Sequence, residues 1–68
     1  LLYPNPTKDT IIFNENVNLI YVYATSGILV QKSEIKSKEL DLSNLNSGIY
    51  IIKMQTENGI RIAKLIKE

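Results

Sequence analysis

The chain has no cysteine and no histidine. Disulfide staples, thiolate zinc sites and histidine-centred acid–base chemistry are therefore excluded by inventory. Charge of one sign is lacking as well: eight Lys and Arg stand against seven Asp and Glu, a formal net charge of +1. Such a balance gives little grip on nucleic acid or on an anionic membrane surface. The apolar runs are only a handful of residues long, far short of a bilayer span, so direct membrane insertion is not expected. Nothing at the start has the basic, apolar and small-residue order of a signal peptide. Leu1 reads as a cut made within a larger protein, whose own export signal would lie upstream.

Parts for catalysis are missing too. The acids, Asp9, Glu15, Glu34, Glu39, Asp41, Glu57 and Glu68, are scattered with no spacing that makes a carboxylate dyad or an Asp-x-Asp calcium loop. Gly27, Gly48 and Gly59 each stand alone among turn residues, so no glycine loop cradles a phosphate. The expectation is no enzyme, no cofactor and no metal.

What is present is a series of short apolar segments separated by turn residues at regular intervals. That pattern predicts one all-β domain over residues 1–68, an immunoglobulin-like antiparallel sandwich of about seven short strands. At this size its stability should be only a few kcal/mol. Pro4 and Pro6 fix their own φ and push Tyr3 and Asn5 toward extended backbone, so the chain opens with an extended lead-in. A brief strand follows at Ile11 to Phe13, then a polar link over Asn14 to Asn18. Leu19 to Tyr23 and Ile28 to Lys32 form a hairpin around Gly27, where positive φ is needed. The charged stretch Ser33 to Glu39 reads as exposed or as a sheet edge, leading into a short strand near Leu40 to Leu42. Leu42 and Leu45 are spaced to plug one open end of the sandwich, and Gly48 ends the turn that carries them.

The clearest hairpin joins Ile49 to Gln55 with Ile60 to Lys67 through Asn58-Gly59, the pair preferred in type I′ turns. With Asn58 and Gly59 as the central residues, Glu57 opposes Ile60 and the faces follow. Tyr50, Ile52, Met54, Ala63 and Leu65 share one face, which should be core. Ile49, Ile51, Lys53, Gln55, Ile60, Ile62, Lys64 and Ile66 share the other, and that register sets Lys53 opposite Lys64, a mildly destabilising like-charge pair. The plainer reading of this second face is a strip half covered by the N-terminal segment. The sharper one is a partner or self-association surface, since a contiguous exposed apolar strip has such a use. Tyr21 and Tyr23 share a face and could stack on a sugar or a base. Tyrosine is also simply a good strand residue, and with no tryptophan the structural use is favoured, with Ile20 and Val22 as the core pair of that strand.

Taken together and in order, "YPNPTKD", "VYATSGILV", "LDLSNLNSGIYIIKM", "ENG" and "AKLIKE" resemble the type A C-terminal sorting domain of the type IX (Por) secretion system of Bacteroidetes. The family-motif positions are Tyr3, Pro4, Asn5, Pro6, Gly27, Leu45, Gly48, Tyr50 and Gly59, and Lys64 to Lys67 supply the closing Lys-apolar-apolar-basic pattern. Asn46 stands where the family often has proline, and Ala24 where it often has Asp or Asn; both lie in turns.

The resemblance implies an address with no chemistry of its own. The domain would end a larger secreted protein and direct that cargo across the outer membrane through the type IX translocon. A surface sortase-like protease would then commonly remove it. Its places would be the periplasm in transit, then the cell surface or medium. Recognition by the translocon is expected on Ile49, Ile51, Lys64, Leu65, Ile66, Lys67 and Glu68, with weak self-association possible on the same isoleucine strip. The alternative is an extracellular carbohydrate-binding or adhesion sandwich appended to an enzyme, for which the Tyr21/Tyr23 pair is the best support. A third, blander reading is a structural cap on a neighbouring domain.

Overall fold

The computed structural model describes residues 2–3, 8–13, 15–35 and 38–68. Among them are seven strands and no helix: β1 (Leu2–Tyr3), β2 (Thr10–Phe13), β3 (Val17–Ala24), β4 (Leu29–Glu34), β5 (Glu39–Asp41), β6 (Gly48–Thr56) and β7 (Gly59–Lys67). All neighbouring pairs are antiparallel. They form a three-stranded sheet ordered β1-β2-β5 and a four-stranded sheet ordered β4-β3-β6-β7. Strands that follow one another in sequence change sheets between β2 and β3, β4 and β5, and β5 and β6. This is immunoglobulin-type connectivity, as the strand count predicts.

Period-two alternation builds the core. Ile11 and Phe13 point inward from β2 while Ile12 points out, and Leu40 and Leu42 come from β5 and its exit. Facing them, Ile20 and Val22 of β3 meet Met54 and Ile52 of β6, and Tyr50 meets Leu65 of β7. Ile11, Ile20, Val22, Leu42, Ile52, Met54 and Leu65 have no exposed area at all. Leu45 and Ile35 pack against this cluster from the loops, so Leu42 and Leu45 do meet at the core. Backbone bonds hold the ends: the Leu42 N–H donates to the Asp9 carbonyl (2.6 Å), and the Phe13 N–H to the Lys38 carbonyl (2.7 Å).

Strand ends differ from the expected ones in understandable ways. Val17 and Asn18 belong to β3, because Val17 is buried and pairs with Thr56 once a bulge absorbs Asn18. The return strand β4 extends to Glu34 and is the edge of its sheet, so part of the charged stretch is paired strand. A second bulge, between Val22 and Tyr23, sets Tyr23 against Leu29.

The last hairpin carries the main correction. Thr56 pairs with Gly59, and Gln55 with Ile60. The turn centres are therefore Glu57 and Asn58, and neither has positive φ; Gly59 alone does, at 117°. Type I′ geometry needs positive φ at both centres, so it is excluded. The Thr56 hydroxyl explains the preference: Oγ1 accepts from the Asn58 N–H at 3.1 Å and donates to the Gly59 carbonyl at 2.8 Å. The pairing moves by two residues, an even step, so every side chain stays on its expected face. Lys53 now opposes Ile62 and Lys64 opposes Ile51. The predicted Lys53–Lys64 opposition does not occur; the two sit on a diagonal.

Tyr50 closes the other end. Its hydroxyl donates to the Asn46 carbonyl at 2.7 Å while its ring lies in the core, which ties the Leu42–Gly48 loop to β6. Replacing Tyr50 with Phe should lower stability by about 1 kcal/mol, read as a shift of the denaturant midpoint at unchanged m-value.

Candidate functional site

The inner faces of the two sheets are taken up by the core, so chemistry or recognition must use an outer face or an edge. The outer face of the four-stranded sheet is laid out by register as three rows. One row runs Glu34, Leu19, Gln55, Ile60 from β4 to β7; the next runs Lys32, Tyr21, Lys53, Ile62; the third runs Leu29, Tyr23, Ile51, Lys64. Ile49 and Ile66 pair beyond it. The isoleucine strip and the tyrosine pair are thus one continuous surface, because β3 lies beside β6. Its aliphatic members are open: Ile62 is 68% exposed, Ile60 54%, Ile49 47% and Ile66 38%.

The expected cover over this strip does not come from β1. That strand pairs with β2 in the opposite sheet, Leu2 against Phe13 and Tyr3 against Ile12. Pro4, Asn5 and Pro6 of the opening motif lie outside the described residues.

The tyrosines stack on each other, with ring centroids 6.4 Å apart and planes 22° apart. Lys32 and Lys53, the neighbours of Tyr21 on either side, place their ammonium groups 5.5 Å and 5.6 Å from its ring centre. Each such contact at a partly exposed site contributes on the order of 0.5–1 kcal/mol. The ring of Tyr21 thus serves the two lysines, fixing where the positive charge stands. Lysine pairing across β4, β3 and β6 had no local sequence signal; only the strand order creates it.

The closing residues divide by alternation. Lys64, Ile66 and Glu68 are exposed, whereas Leu65 is in the core and Lys67 is 7% exposed. Lys67 pairs with Gly48, which has no side chain to compete for that space. Its charge stands near Asp41 of the opposite sheet. The Asp41 carboxyl titrates below its ordinary value, first because the Ser43 N–H donates to Oδ1 at 2.9 Å, then through the Ser43 hydroxyl; desolvation opposes this slightly and Lys67 adds to it. At the other end of the sandwich Arg61 reaches Glu15 at 3.3 Å, a half-buried pair still open to solvent screening and of modest energetic weight.

Of the remaining family-motif positions, Gly27 sits at the tip of the β3–β4 hairpin with φ 91°, Gly48 opens β6, and Leu45 and Tyr50 anchor the loop before it. These are positions of fold, not of chemistry. Among the described residues no cluster of acids is arranged to hold a metal ion, and no helix is long and apolar enough to cross a membrane.

The fold is a small two-sheet β architecture with an open, patterned outer face, and fold alone assigns it no function. Comparison with protein families supplies the assignment. Residues 1–68 match the model of the secretion system C-terminal sorting domain, and the chain belongs to that family. A search of curated proteins finds no match. The domain is a type IX secretion signal for export of cargo, a non-catalytic sorting domain that works with the secretion machinery.

Proposed function

We propose that this is a type A sorting domain excised from the end of a larger secreted protein, and that the outer-membrane translocon reads it in folded form. The cargo would reach the periplasm by its own N-terminal signal peptide and cross the outer membrane attached to this domain. A sortase-like protease would then remove the domain at the cell surface. The ordered combination of Tyr3 to Pro6, Gly27, Leu45 to Tyr50 and the closing Lys-Leu-Ile-Lys supports the subtype.

The observation that carries the reading is the exposed apolar face of the terminal hairpin, where Ile49 and Ile66 pair beside Ile51 and Lys64. Leu65 and Lys67 point inward between them, so the closing segment offers Ile66, Lys64 and Glu68 on one side only while it is a strand. An unfolded tail would offer all five residues without distinction. Recognition of this face is therefore recognition of the fold, which suits a signal that must work on any cargo.

Deleting residues 64–68 would remove Leu65 from the core and confuse recognition with folding. Exchanging both Ile49 and Ile66 for Ser changes only exposed side chains. In a reporter fused ahead of residues 1–68, the double variant should melt as the parent does and lose most of its surface display. Display equal to the parent would remove this pair from the recognition surface.

A further inference from the structure

The outer face carries a charge pattern that narrows what can dock there. Lys32, Lys53 and Lys64 stand on it against two carboxylates at its margins, Glu34 at the end of β4 and Glu68 just beyond β7. Three positive charges less two negative charges leave +1 on this face, the net charge of the whole chain. The central row of this apolar surface, with Lys32 and Lys53 on either side of Tyr21, carries positive charge and no carboxylate. Lys53 lies at the centre of the sheet, between Tyr21 and Ile62.

We propose that the whole outer face, β4 to β7, is one docking surface for a protein partner whose complementary surface is apolar and rich in Asp and Glu. This rests on the sorting function above and enlarges the recognition site from the terminal hairpin to the Tyr21–Lys32–Lys53 row. A second copy of the chain is a poor occupant, because stacking this face on itself sets lysines against lysines. An anionic glycan or other polyanion is also a poor occupant. Ile60 and Ile62, more than half exposed, give such a ligand nothing to bind, and the ring of Tyr21 is engaged by lysine ammonium groups. A protein surface with carboxylates set among apolar side chains satisfies both components.

Ile62 allows the charge to be tested at one exposed point; because the lysine stem keeps apolar contact that Asp loses, the comparison is read together with the charge change at Lys32. In the reporter fusion, with folding of each variant checked by its melting transition, Ile62→Asp should reduce surface display by about tenfold. Ile62→Lys should reduce it several-fold less. Lys32→Glu against Lys32→Arg repeats the comparison on β4, with loss expected only for Glu. Equal loss in Ile62→Asp and Ile62→Lys, or no loss in either, overturns the proposal. A dimer of the purified domain in sedimentation, broken by both Ile62 variants, would give the face to a second copy and also overturn it. If the parent fusion itself is not displayed, the sorting reading falls and this one with it. Normal parental display with the wrong charge response sinks only the docking chemistry.

Discussion

Ile52→Ala is expected to leave the domain largely unfolded at physiological temperature and to abolish export of any cargo attached to it. Ile52 sits at the centre of β6, between Val22 and Ala63 in the ladder, with no exposed area. Removing a buried isoleucine to Ala costs about 2–5 kcal/mol through lost transfer energy and the cavity left behind. A single core in a domain this small supplies roughly 3–5 kcal/mol of net stability, and the chain has no cysteine to supplement it. The loss therefore rivals the total. Ile52→Val, at about 0.5–1.5 kcal/mol, should keep a cooperative melt at a lower midpoint. Circular dichroism of the two variants against the parent checks both, and a cooperative parental-like melt for Ile52→Ala would contradict the core described here.

Gly59→Ala should destabilise the domain, while Asn58→Ala should be close to neutral. Gly59 has φ 117° with nothing within 4 Å of where a Cβ would stand, so the cost is backbone strain and not a clash. That strain is about 1–2 kcal/mol. Asn58 does not have positive φ, and its backbone N–H, not its side chain, makes the bond to Thr56. A type I′ turn would make both substitutions costly. Denaturant midpoints of the two variants therefore distinguish the two registers, and comparable losses would return Asn58-Gly59 to the centre of the turn.

The contrast shows what kind of information a sequence of this type carries. Alternation along Ile49 to Gln55 and Ile60 to Lys67 assigns each side chain to a face, and an even slip of register leaves that assignment intact. Which residues stand opposite one another depends on the turn, where the Asn-Gly signal competes with the Thr56 hydroxyl three residues before Gly59. The hydroxyl prevails, and Lys53 meets Ile62 in place of Lys64. Val17 is a similar case: the polar residues around it suggest a link, but its burial opposite Thr56 draws it into β3.

The candidate site was legible in halves. Tyr21 with Tyr23 and the five isoleucines each emerge from local periodicity. Their union on one face does not, because it depends on β3 lying next to β6, a contact between segments about thirty residues apart in the chain. Treating residues 64–68 as one recognition element had the opposite weakness. A contiguous motif ignores alternation, which sends Leu65 and Lys67 inward and leaves only their neighbours for a partner.

The central claim is that this fold, by itself, is an export address. Fusing residues 1–68 to the C-terminus of a periplasmic reporter, in a host that has the type IX system, tests it directly. The account predicts reporter at the cell surface or in the medium with the parent domain, and reporter held in the periplasm with the unfolded Ile52→Ala domain. Parental fusion retained in the periplasm, or Ile52→Ala fusion exported as well as the parent, would contradict it.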